Sequence, residues 1–245
     1  MKIWAHRGCS QMYPENTITA FSKAQEIRGL SGIELDIQLT KDGEVVVIHD
    51  ERVDRTTDGI GYVKDFTYLQ LRKLAVKTGG SRAERIPTIS EVLDVVQCKM
   101  EQGMLLNIEL KNSEIRYDGM EERIFNLIVN RGLQDKIVYS SFYAKSLEKI
   151  RNLDSEAMVG VLDVKVSDCM YKKNGGCGAD ALHPFWRGID LTKEQLKDQT
   201  VRAWLMGHLY PEKPTGTKLD LRKLESLGIT DVFLNEPEAY LHERT

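Results

Sequence analysis

Two stretches of the chain alternate apolar and polar positions in the same way. In "GIELDIQL", residues 32–39, Ile33, Leu35, Ile37 and Leu39 fall on one face of a period-two segment, and Glu34, Asp36 and Gln38 on the other. The pattern returns in "LLNIELK", where Leu106, Ile108 and Leu110 face away from Asn107, Glu109 and Lys111. Further strand signals are "KIWA", "VVVI", "KIVYS", "MVGVL", "DALH", "VRAWLM" and "DVFLN". Helical spacing appears between them. After an entry at Pro14 to Thr17, Ala20, Phe21, Ala24 and Ile27 share a face, with Gly29 beyond the end. Other helices are expected at 68–74, 90–102, 120–130, 145–152, 193–197 and 219–226, while "CMYKKNGGC" reads as a helix end and loop.

This βα alternation predicts an α/β protein, a TIM-type (β/α)8 barrel. The nine strand signals are one too many for such a barrel. Between Leu39 and Val45 the link "TKDGE" is too short for a crossover helix and suits a turn at Asp42-Gly43. Residues 45–48 are therefore expected to return antiparallel as a small hairpin extension after the second strand. Opposed residue numbers would then sum to about 85, which sets His49 near Asp36.

A barrel placement changes the meaning of the polar face. Taken alone, each stretch reads as a half-exposed strand with a wet side. In a parallel barrel both faces are covered, so a mid-strand carboxylate is costly unless it lies near the C-terminal mouth and binds something positive. Glu34, Asp36 and Glu109 converging there would repel one another without a cation. An all-oxygen ligand set favours a hard ion, Mg²⁺ or Ca²⁺. The competing reading is an ion-pair network within the protein, with Arg7 and Lys111 as the cations.

Composition narrows the alternatives. The 245 residues suit one barrel domain over 1–245, with 34 Lys and Arg against 37 Asp and Glu and a net charge of −3. The basic residues are dispersed, which argues against nucleic-acid binding. No apolar run is long enough to span a bilayer, and "MKIWAHRG" has no secretory signal pattern, so a cytoplasmic chain without membrane insertion is expected. Cys9, Cys98, Cys169 and Cys177 have neither a disulfide-framework nor a zinc-site spacing and are read as free thiols.

"AHRG" with "PENTITAF", then "GIELDIQLTKDGEVVVIHD", "RTTDGIG", "IPTISEVL", "IELK" and "SSF", in this order, resemble the glycerophosphodiester phosphodiesterase family. The likeness covers most of the first 145 residues. It implies a divalent metal on Glu34, Asp36 and Glu109, catalytic histidines at His6 and His49, and phosphate contacts from Arg7 and Lys111. The chemistry agrees with those roles. Cations neutralise the diester charge, and two imidazoles suit the two proton transfers of hydrolysis. The attacking group implied is the glycerol 2-hydroxyl, by way of a cyclic phosphate, or water directly.

Smaller features carry smaller expectations. Pro14 and Asn16 are expected to fix the entry to the first helix, and Glu15 is read the same way rather than as a metal ligand. "RTTDGIG", with Arg55, Thr56 and Gly59, is expected as a loop beside the mouth, not a phosphate cradle, since no helix start follows it. "HPFW", His183 to Trp186, either lines the alcohol pocket or plugs the barrel rim. By resemblance Trp204 belongs to the substrate side. After it the family usually has Thr-Val-Asn, whereas Gly207 stands here where the Asn would be, and Asn235 stands where Asp is common. The expected activity is hydrolysis of small glycerophosphodiesters. The alternatives are action on lysophospholipids or another phosphodiester, and a non-catalytic binding barrel.

Overall fold

The computed structural model describes residues 1–79, 84–205 and 218–241. β1 (Lys2–His6) turns sharply into α1 (Ile18–Gln25); β2 (Gly32–Leu39) follows, with the short β3 (Val45–Val47) folded back on it. α2 (Tyr68–Leu71) and α3 (Ile89–Glu101) precede β4 (Leu105–Leu110) and α4 (Met120–Arg131). The remaining elements are β5 (Ile137–Ser141), α5 (Ala144–Leu153), β6 (Met158–Asp163), α6 (Val166–Lys172), β7 (Ala181–Pro184), α7 (Lys193–Leu196), β8 (Thr200–Trp204), α8 (Leu221–Ser226), β9 (Asp231–Leu234) and α9 (Glu238–Leu241).

All strands except β3 pair in parallel, and the β1–β2 and β1–β9 pairings close the barrel. The alternation read from the sequence divides inside from outside. Ile33, Leu35, Ile37 and Leu39 face outward and join the main core with α1 and α3 residues such as Phe21, Val92 and Val96. α3 presents Ile89, Val92, Leu93, Val96 and Met100 to that core and starts on a capping box, in which Thr88 Oγ1 accepts from Glu91 N and the Glu91 carboxylate accepts from Thr88 N. Inside the barrel, Trp4, Val138 and Phe233 pack together and close the floor.

The expected hairpin is present, with Ile37 opposite Val47 and Leu39 opposite Val45, a sum of 84. It occupies a telling position. β4 pairs along one edge of β2 from Gly32 to Ile37; on the other edge β1 ends where His6 meets Glu34, and β3 takes over from Ile37. His6 and His49 thus approach the same pair of carboxylates along one strand edge from opposite directions.

Candidate active site

The turn after β1 is built for close approach. Arg7 has φ 56° and Gly8 φ 81°, and a Cβ on Gly8 would lie 2.7 Å from the Ala20 carbonyl carbon, so the glycine is required. This conformation aims the Arg7 backbone N–H at Glu34 Oε2, 2.9 Å away, and sets its side chain beside Asp36 at 3.3 Å and Glu15 at 2.8 Å. Asn16, at φ 56°, donates its amide to Asp36 Oδ2 at 2.9 Å. The helix entry is therefore fixed by Thr17, whose hydroxyl accepts from Ala20 N, and not by Asn16 as expected. Asn16 is a site residue, and Glu15 joins Arg7 and Arg55 instead of serving only the turn.

β2 and β4 lie side by side with Asp36 opposite Glu109. Ligand atoms of Glu34, Asp36 and Glu109 all fall within 4.8 Å of one another. Gln38, the third polar residue of that face, plays a different part. Its amide nitrogen donates to the carbonyls of Ile48, His49 and Asp50, and Tyr117 donates to its oxygen at 2.8 Å. It holds the segment that carries His49.

Each imidazole is held through Nδ1, His6 by Asn235 Oδ1 at 2.6 Å and His49 by Asp50 Oδ1 at 2.6 Å. His49 Nε2 lies 3.2 Å from Lys111 Nζ, which is also 3.2 Å from Glu109. Burial and then the Arg7 charge hold His6 down at about 3, so its ring is neutral at neutral pH. Against the cost of burial, Glu15, Asp36 and Glu34 keep the Arg7 guanidinium charged, and Glu109 and Asp36 do the same for Lys111. Burial would also neutralise Asp36, but His49, Arg7 and Lys111 hold it below the ordinary carboxylate range.

Glu34 is the exception. Burial, followed by repulsion from Asp36, drives its carboxyl well above the ordinary range. Its Oε1 and Asp36 Oδ1 are buried without a hydrogen-bond partner. The ion-pair network expected as the alternative does exist, yet Arg7 and Lys111 leave this excess of negative charge. A cation among the three carboxylates would relieve both features, so the residues fit a divalent metal, and the acidic group is one that can hold it.

His6, Arg7, Glu34, His49, Glu109 and Lys111 line a cavity of about 640 Å³, whose remaining lining includes Phe142, Leu162, His183, Trp204, Leu205 and Phe233. Trp204 donates from Nε1 to the His183 carbonyl at 3.1 Å and packs against Phe185, 4.9 Å between ring centroids. Of "HPFW", His183 lines the cavity and Phe185 packs behind Trp204 at its rim. The "RTTDGIG" loop lies at the mouth as expected, with Arg55 in the lining. Asn235 touches His6, and Gly207 lies outside the described residues. Asp50, Arg55 and Asn16 were missed as site residues because their types suit polar turns equally well; "HD" directly after the hairpin was the available signal.

Barrel and polar mouth define a (β/α)8 barrel with a charged site at its mouth, and comparison with known proteins supplies the family. Residues 6–176 match the model of the Glycerophosphoryl diester phosphodiesterase family. A glycerophosphodiester phosphodiesterase of Caldanaerobacter subterraneus is 37% identical over 245 residues, spanning 98% of this chain and 96% of that protein. One of Bacillus altitudinis is 36% identical, spanning 97% and 95%. The structure of an Oleispira antarctica phosphodiesterase, in complex with the product sn-glycerol-3-phosphate, matches with TM-score 0.77 at 26% identity, over 98% of this chain and 94% of that one. The chain belongs to the glycerophosphoryl diester phosphodiesterase family. The family depends on divalent metal, and among the described residues no helix is long and apolar enough to cross a membrane.

Proposed function

We propose that the chain, as one barrel domain over 1–245, hydrolyses glycerophosphodiesters to glycerol 3-phosphate and an alcohol, in the turnover of deacylated phospholipids. The observation that carries this reading is the convergence of His6, His49, Arg7, Lys111, Glu34 and Glu109 on one cavity, with Asp36 buried in the same carboxylate group. Glu34, Asp36 and Glu109 would hold Mg²⁺ or Ca²⁺, which when bound supplies a Lewis acid for the phosphate oxygens. Arg7 and Lys111, kept charged by buried carboxylates, neutralise the diester and stabilise its more charged transition state. The His6 and His49 rings, anchored at Nδ1, present Nε2 for proton transfer. One takes the proton of the attacking oxygen and the other returns a proton to the leaving alkoxide.

Trp204, with Phe142 and Leu205, forms the wall against which the organic part of the diester rests. The four cysteines are free, which suits the reducing cytoplasm, where we place the enzyme. The test is a substrate panel of glycerophosphodiesters, lysophospholipids and an aryl diester, run with Mg²⁺, with Ca²⁺ and with chelator. Metal-dependent release of glycerol 3-phosphate from glycerophosphodiesters is expected. A preference for lysophospholipids would redirect the substrate class, and inactivity on the whole panel would leave the binding barrel.

A further inference from the structure

Arg55 lines the cavity, yet its guanidinium is committed elsewhere. Nε and Nη2 donate to Asp50 at 2.6 and 2.9 Å, and Nη1 and Nη2 donate to Glu15 at 2.7 and 2.8 Å. Asp50 in turn grips His49 Nδ1 at 2.6 Å, while Glu15 accepts from Arg7 at 2.8 Å. The result is an alternation of charge that runs from the His49 ring through Asp50, Arg55, Glu15 and Arg7 to Asp36, 3.3 Å from Arg7. We propose that Arg55 is a positioning residue that locks the His49 imidazole and the Arg7 guanidinium into one frame by gripping the carboxylate behind each.

The loop does not need Arg55 merely to stay in place. Gln38 binds three successive carbonyls at 48–50, Thr57 Oγ1 donates to the Val53 carbonyl at 2.8 Å, and Lys77 donates to the Asp54 carbonyl at 2.7 Å. Ile48, Val53 and Val63 are buried in a small core of their own with Leu71, Val76 and Ile86. The arginine adds the two-sided fork. A lysine retains the charge but cannot grip two carboxylates at once with fixed geometry.

The inference rests on the proposed role of His49, and a double-mutant cycle tests it. Arg55→Ala is expected to lower kcat on a glycerophosphodiester by about 10- to 100-fold, the range seen for groups that orient a functional residue from behind. Arg55→Lys, the variant better placed to fold, should show a loss of the same order. In a His49→Ala background the Arg55→Ala effect on kcat should shrink to about 3-fold or less, because the group it orients is gone. The Arg7 arm should appear separately as weaker inhibition by inorganic phosphate. Equal fold-losses in the two backgrounds, or full activity of Arg55→Lys, would overturn the proposal. A readout without turnover separates it from the reading beneath it: the downfield proton resonance of His49 Nδ1–H, bound to Asp50, should move or vanish in Arg55→Lys. If His49→Ala itself stays active, the role given to His49 falls, and this resonance alone decides the Arg55 link, an unchanged signal rejecting it.

Discussion

The two sides of the barrel mouth are made of opposite materials. The strands and loops from β1 to β4 contribute His6, Arg7, Glu34, His49, Glu109 and Lys111, with Asp36 buried among them, all seven charged or titratable. The side from β5 to β9 contributes Phe142, Leu162, Trp204, Leu205 and Phe233, with Ser140 and His183 among them. The first side carries what any phosphate diester requires, a set of charges and proton carriers at fixed positions. On the proposed reading the second side meets the carbon skeleton, where shape and apolar area discriminate only modestly. That reading makes chemistry and substrate choice separable along the chain. Substitutions on the first side should cost rate, and those on the second should reorder substrates.

The largest effect is expected at the carboxylates. Excess chelator should abolish turnover, and Glu34→Gln, which leaves the backbone bond donor of Arg7 an oxygen to bind, should reduce metal affinity measured by calorimetry. Full activity in chelator would remove the metal from the charged side altogether. Next come the histidines. His6→Ala and His49→Ala should each lose about 10²- to 10⁴-fold in kcat with the metal still bound. An aryl diester, whose leaving group hardly needs a proton, should partly rescue the variant lacking the acid and not the one lacking the base. Equal losses on alkyl and aryl substrates would contradict a division of labour between the two rings.

A third prediction reads the charged side through stability. Burial alone would raise the Glu15 carboxyl, but Arg7 and Arg55 hold it at about 2, below its ordinary value of 4.5. The folded value is depressed, so ionised Glu15 stabilises the fold above about pH 4.5, and that contribution fades as the pH falls toward 2. It amounts to about 3 kcal/mol at most. The difference in denaturation midpoint between the parent protein and Glu15→Gln should therefore be large at pH 7, roughly halved near pH 3 and small near pH 2; a difference independent of pH would refute the linkage. The smallest effect is expected across the mouth. Trp204→Ala should cost about 10-fold in kcat/KM and change the ranking of alcohol groups, with the metal dependence untouched. Uniform loss over all substrates would mean that the tryptophan acts as rim packing and not as a specificity wall.

Most of the fold was legible because one periodicity serves two purposes. The apolar residues of "GIELDIQL" had to face a core, and the short "TKDGE" link left only a hairpin, so barrel and extension followed together. Helix ends were less clear. The segment around "CMYKKNGGC" is a helix, Val166–Lys172, running into a wide turn with Gly176 at φ 125°, and its short apolar face gave little periodic signal. Glu34, Asp36 and Glu109 were readable as candidates because charge in mid-strand has few cheap explanations, and His6 and His49 because each closes or follows a strand segment aimed at the same mouth. Asn16, Asp50 and Arg55 were not, since the same residue types serve loops through their own backbone.

What the chain by itself determined was the inventory and its order: which carboxylates would lie on an inward face, that His6 would end the first strand and His49 would follow the hairpin, and that the family motifs fall in the first 145 residues. Local spacing sufficed for that, because strand pleat and turn length are short-range properties. Pairing was decided only in three dimensions. The β2–β4 register sets Asp36 against Glu109, barrel closure brings Asn235 onto His6 across a separation of 229 residues, and Arg55 finds Glu15 from 40 residues away. Those partners fix ring orientation and charge, and they depend on which strands become neighbours, a choice that burial of the whole barrel makes at once.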